Sequence, residues 1–276
     1  MGAAAIGENL AYINWTVLVT LAAGAFAAVV ALRLRTDATR GYLAFTAACA
    51  AAFGLLALLS DVGLPAGGTS VAVPVAPELD GPRRLALGVF VAVAVVATAA
   101  YWTRRRAPLL GGAGLAAAAA TIALAAAGWG SGPGGALFLA VQRAVLSGAL
   151  GGEFAGMVLG HWYLVTPRLG EAPLVLLSRA LTIVVAIQVL LFVAWIAAGV
   201  TGGAPFEALT GRWALFVWLR LLVGLAFPLV VSWGALQTAR TRSMESATGL
   251  LYIDVGAIAA GTILAAGLYY GAGLLV

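Results

Sequence analysis

Eight apolar stretches, each long enough to cross a bilayer, limit what this chain can fold into. They run over residues 12–34, 41–59, 85–103, 108–127, 136–166, 173–199, 213–239 and 249–274. A hydrocarbon core of about 30 Å takes about 20 residues of helix. Only helices and closed barrels satisfy their backbone in lipid. A barrel strand would alternate in segments of about 10 residues, and no such alternation occurs here. A water-soluble alternative is excluded by composition. Charged residues make up 9% of the chain and hydrophobic ones 63%, against roughly 25% charged in soluble domains. The sequence therefore predicts an all-α integral membrane protein, residues 1–276 forming a single polytopic domain of eight transmembrane helices with no soluble domain.

The breaks carry loop chemistry, as in "RTDATR", "RRRAP", "TPRLGEAP" and "ARTRSMESATG". Arginines near the span ends set an orientation. One group of loops holds Arg33, Arg35, Arg40, Arg104, Arg105, Arg106, Arg168, Arg240 and Arg242, the other Arg83, Arg84 and Arg212. By the positive-inside rule the first group is cytoplasmic, which puts both termini outside. Glu8, Asp61, Glu78, Asp80 and Glu207 then fall outside as well. The N-terminus lacks the basic n-region and cleavage site of a signal peptide, so the first span is expected to target the chain. A bacterial-type inner membrane is the expected location. The net charge of +5 is a topology signal, not a nucleic-acid footprint. The Gly- and Pro-rich outer loop 60–84 is large enough for a cap over the outer surface. Trp15, Trp129, Trp195 and Trp213 near outer ends, and Trp102, Trp162 and Trp233 near inner ends, read as an interfacial aromatic belt.

A charge inside a span costs at least about 2.5 kcal/mol and needs protein or water around it. Spans one to four (12–127) contain none well inside the apolar zone and are expected to serve packing. Spans five to eight (136–274) contain Arg143, Glu153, His161, Arg179, Arg220 and Asp254, and are expected to carry a polar site. Along the fifth span, Gly148, Gly152, Gly156 and Gly160 recur every fourth residue. Small residues at that spacing form a strip for close helix packing. Glu153 and His161, the only histidine, run beside the strip and are expected to face the neighbouring helices. Arg143 and Arg220 form an outer basic pair. If the polar residues are purely structural, Arg179 and Asp254 form an interhelical ion pair.

Three functional expectations follow. The first is a membrane subunit of a redox assembly, not itself an enzyme, receiving electrons from partner subunits. A quinone or similar flat amphipathic ligand would lie among spans five to eight. His161, Arg179 and Asp254 would donate to its carbonyls and Glu153 would relay protons. Eight helices around such a site resemble the polysulfide-reductase type of membrane anchor in helix count. The second is a proton-coupled transporter or channel for a small solute, anionic if Arg143 and Arg220 attract it, with Glu153 as the coupling carboxylate. The two halves differ so sharply in charge that a four-plus-four repeat is not expected. The third is a tetrapyrrole, haem or chlorin, with His161 as single axial ligand and Met1 or Met244 as the remaining candidates for a second. Metal-ligand spacing is absent, and the lone Cys49 makes no disulfide framework.

Overall fold

A computed structural model describes residues 9–65, 72–103, 107–166, 168–200 and 204–276. Met1, Glu8 and Arg104, Arg105 and Arg106, which entered the sequence reading, lie outside the described residues, as does part of the 60–84 loop. Among the described residues there is no strand, and eight helices are long and apolar enough to span a membrane. They are α1 (Leu10–Arg35), α2 (Arg40–Asp61), α3 (Asp80–Trp102, entered through the 3-10 turn Pro77–Leu79), α4 (Pro108–Trp129), α5 (Gly132–Val165), α6 (Ala172–Ala198), α7 (Ala214–Arg240) and α8 (Met244–Ala272). Local chemistry sets their ends. The Thr39 hydroxyl accepts the Tyr42 N–H at the start of α2. Prolines open α4, α5 and α6, where the missing N–H costs nothing. Gly199 and Gly273 close α6 and α8 in left-handed conformation, φ 60° and 70°.

Each half of the chain closes its own ring. Helix α1 packs on α2, α2 on α3, α3 on α4, and α4 returns to α1; α5 to α8 repeat the circuit. The two rings meet chiefly through α1 against α5, flanked by α4 against α5 and by α8 against α1. The four-plus-four arrangement that the charge asymmetry argued against is thus present in the packing. Composition hid it, because the two rings are built alike and filled differently. The start of α1 and the end of α8 share one end of the bundle, where the Tyr12 and Tyr270 rings lie 5.1 Å apart. We call this the terminal end.

The rings join where two glycines cross. A Cβ on Gly24 would overlap the carbonyl oxygen of Ser147, and one on Gly151 would fall 2.5 Å from the Ala25 nitrogen. Backbone meets backbone there, as small residues allow. The predicted strip behaves differently. Gly148 and Gly152 face side chains of α6, with Val184 at 3.3 Å and Leu181 at 3.1 Å from the Cβ position, and Gly160 faces Thr248 of α8 at 2.7 Å. Gly24→Ala should therefore cost about 1–3 kcal/mol of stability, the range for overpacking, while Gly148→Ala should cost less because Val184 can yield. Thermal unfolding in detergent measures both, and equal losses would contradict the assigned crossing.

Helix α7 is interrupted by a π turn over Leu222–Ala226. Pro228 has no N–H, so the Gly224 carbonyl four residues earlier lacks its regular donor. The Arg220 Nη1 donates to that carbonyl instead, at 3.0 Å. Here α7 meets α8 closely, and a Cβ on Gly224 would fall 2.5 Å from the Gly261 Cα.

Candidate functional site

Glu153 on α5 and Asp254 on α8 both have 0% exposure. Their helices run antiparallel in fixed register, with Gly160 against Thr248 and Gly156 against Leu251. One further turn brings Glu153 level with Asp254, and the two carboxyls act on each other electrostatically. Among the described residues, none of their four oxygens has a hydrogen-bond partner. Ser178 of α6 is equally buried and its hydroxyl is unpartnered too. Two carboxylates level with each other on neighbouring helices and away from water repel one another. Such a pair is neutral or singly charged only when it holds a proton, and binding protons is the chemistry this arrangement offers.

Arg220, 3% exposed, lies nearer the terminal end. Besides Gly224 it donates through Nη2 to the Gln188 Oε1 at 2.7 Å, and Gln188 in turn donates to the Val145 carbonyl of α5 at 3.3 Å. Among the described residues it has no carboxylate partner, and its Nε is unbonded. A cavity of about 320 Å³ opens above it at the terminal end, lined by Trp195, Glu207, Arg212 and Trp213 among others. Phe192, Ile196, Val217 and Leu268 form an apolar layer below that cavity. At the opposite end of the same ring, Tyr163, Leu169, Arg242 and Met244 line a cavity of about 450 Å³.

Two of the four sequence-predicted site residues do not join this group. His161 and Arg179 are exposed on the outside of the ring. Eight residues separate Glu153 from His161, a drift of about 80° around the helix, enough to carry the imidazole off the α8 face. The Arg179–Asp254 ion pair is not formed. Arg143 and Arg220 are both buried but keep separate partners. Arg143 donates to the Thr16 hydroxyl at 3.1 Å and to the Tyr270 hydroxyl. Its guanidinium sits over three aromatic rings, those of Trp129, Tyr270 and Trp15, at 5.0, 5.6 and 5.8 Å.

The N-terminal ring fills the equivalent position with hydrocarbon. Phe26 lies two residues past Gly24, as Glu153 lies two past Gly151. Where α8 presents Asp254, α4 presents Gly114, whose Cβ position is taken by the Phe26 ring. Phe26 also stacks edge-on with Phe90, centroids 5.6 Å apart. One ring is sealed at this level and the other carries the carboxyls.

Sequence reasoning missed the charges of the N-terminal ring. Asp61, 0% exposed, takes two hydrogen bonds from Arg83 at 2.9 and 3.0 Å and one from Arg84 at 2.6 Å. Arg83 also donates to Asp80 at 2.7 Å and lies over the Trp129 and Trp15 rings at 4.6 and 5.6 Å. Trp15 and Trp129 are therefore buried members of this cluster instead of interfacial anchors, whereas Trp102 and Trp233 are exposed as a belt requires. The described parts of the 60–84 loop cover the terminal end. The Tyr12 hydroxyl donates to the Pro65 carbonyl at 2.7 Å, the Ala72 N–H to the Tyr270 carbonyl at 2.9 Å and the Ala76 N–H to the Gly128 carbonyl at 2.8 Å.

Fold and site together describe an all-helical chain, among the described residues, with eight helices long and apolar enough to cross a membrane and a buried, unpartnered carboxyl pair inside its second four-helix ring. No family model matches the chain, and neither the curated proteins nor the solved structures contain a match.

Proposed function

We propose that the chain is a proton-coupled transporter of a small solute, with its path inside α5 to α8 and with Glu153 and Asp254 as the proton-carrying pair. The observation that carries this reading is two fully buried carboxyls, side by side on neighbouring helices, with every oxygen unpartnered. A structural carboxylate buried at such cost would be hydrogen-bonded or paired. A site that must load and release a proton gains by leaving those positions free. The cavities at the two ends of the ring, with the carboxyl pair between them, are what alternating access needs on either side of a closed centre. The sealed N-terminal ring then serves as the scaffold against which the second ring rearranges. The arginine count supports a terminal end on the outer side of a bacterial-type inner membrane. A quinone site would draw on His161 and Arg179, which lie on the outer surface of the ring, and a single-ligand tetrapyrrole would draw on His161 as well.

Purified protein in vesicles loaded with a pH-sensitive dye tests the proposal. A pH gradient should relax on addition of a cotransported solute from a panel of anions, cations and neutral molecules. A gradient indifferent to every class, with quinone recovered in the organic extract, would return the chain to the redox-subunit reading.

A further inference from the structure

We propose that Arg220 is the solute site and that the solute is a small carboxylate monoanion, carried with one proton. This rests on the proton-coupled reading above and adds the substrate class. The two deeply buried arginines outside the Asp61 cluster are compensated differently. Arg143 has three aromatic faces and two hydroxyl groups around it, a setting that offsets a cation. Among the described residues Arg220 has no ring over it and no carboxylate beside it, only the Gln188 amide and the Gly224 carbonyl. A guanidinium has five N–H donors. Two are used here, and the unbonded Nε with its neighbouring Nη hydrogens forms a free edge of the geometry that takes a carboxylate in bidentate fashion.

The surroundings limit the size of the ligand. Gly224 and Gly261 bring backbone within reach of the guanidinium; a Cβ on Gly261 would fall 2.9 Å from the Arg220 Nη1. The π turn beside the stranded Gly224 carbonyl is a form of helix irregularity that recurs at functional sites. Phe192, Val217 and Leu268 belong to an apolar cluster that reaches the terminal cavity through Ile196 and Val276. Trp213 at the cavity immediately precedes α7, seven residues before Arg220 and about 10 Å of rise from it.

Charge balance explains the coupling. Arg220 contributes one positive charge, and a carboxyl pair sharing one proton contributes one negative charge. Gly261, against the Arg220 guanidinium, is about 10 Å along α8 from Asp254. When a monoanion cancels Arg220, the pair loses the cation that favours its remaining charge. At that separation the loss raises the affinity for a second proton by about twentyfold at an effective dielectric near 20. Anion and proton are then taken together, and Arg220, the anion and the carboxyl pair carry no net charge between them.

The test uses purified full-length protein in detergent at fixed pH and ionic strength. The probes are acetate and pyruvate, with chloride as a spherical anion and acetamide as a neutral isostere. Acetate or pyruvate should raise the unfolding temperature in a saturable manner and, in weakly buffered solution, draw protons from the medium; acetamide should do neither. Arg220→Gln should abolish the stabilisation. Arg220→Lys, which keeps the charge and loses the fork, should weaken it at least tenfold and covers the case in which the glutamine variant fails to fold. Glu153→Gln should still bind the anion and lose the proton uptake. Absence of stabilisation by either carboxylate, or stabilisation undiminished in the Arg220 variants, overturns the anion site and leaves the proton reading to its vesicle assay. Binding by wild type without proton uptake overturns the coupling.

Discussion

Under the proposed function, Glu153→Gln is expected to abolish coupled proton movement, lowering it by about 100-fold or more, and to leave the protein at least as stable as wild type. The first half follows from the position of the carboxyl. A group that takes and gives up a proton contributes about 10²–10⁴ to the rate of the step it serves, and an amide of the same shape cannot substitute. The second half follows from the company it keeps. Glu153 is fully buried beside Asp254 and neither has a hydrogen-bond partner among the described residues. Removing one of two like groups takes repulsion and desolvation cost out of the folded state and breaks no bond. Asp254→Asn should behave in the same way. Flux in vesicles and the unfolding temperature in detergent read the two halves separately. Lost flux accompanied by a marked loss of stability would assign the pair a structural role.

Asp61→Ala should have the opposite signature, a loss of about 3–5 kcal/mol, the range for removing one member of a buried ion pair. Arg83 would keep Asp80 and the indole faces but lose its paired hydrogen bonds in a site where it is 1% exposed. The loss should appear as a lower unfolding temperature and as faster tryptic cleavage at Arg84, whose own bonds run to Asp61. Because this cluster belongs to the sealed N-terminal ring, any flux that survives should keep its dependence on Glu153. An unchanged unfolding temperature would mean that water, not Asp61, holds Arg83.

The contrast between these two variants marks where the sequence was legible. Spans are set by helix rise against bilayer thickness, so the stretch 136–166 reappears as Gly132–Val165 with only its ends moved. The concentration of intramembrane charge after residue 136 singled out the ring in which Glu153 and Asp254 lie level with each other and fully buried. His161 and Arg179 went astray because helix phase relative to a neighbour depends on which face that neighbour covers. A four-residue glycine repeat suggests such a face, but its partners on α6 and α8 are side chains. The glycine that meets another backbone is Gly151, which breaks the repeat, and its partner Gly24 stands alone in α1. The doubled glycine at Gly151 and Gly152 was the available signal. Asp61 and Arg83 read as loop charges because they sit at span ends, 22 residues apart, and only the tertiary fold buries them together. Trp15 and Trp129 misled for the same reason, since a tryptophan at a span end looks alike whether lipid or protein surrounds it. Pro228 closely follows the break in α7, but the carbonyl it strands becomes meaningful only with Arg220 in place.

The central claim is that Glu153 and Asp254 hold a proton between them inside the closed ring, and infrared spectroscopy of the purified protein tests it most directly. At neutral pH a protonated carboxyl C=O band should be present, should move on exchange into heavy water, and should vanish in the Glu153→Gln, Asp254→Asn double variant. A wild-type spectrum with no protonated carboxyl band assignable to these two residues, both reporting as free carboxylates, would contradict the account.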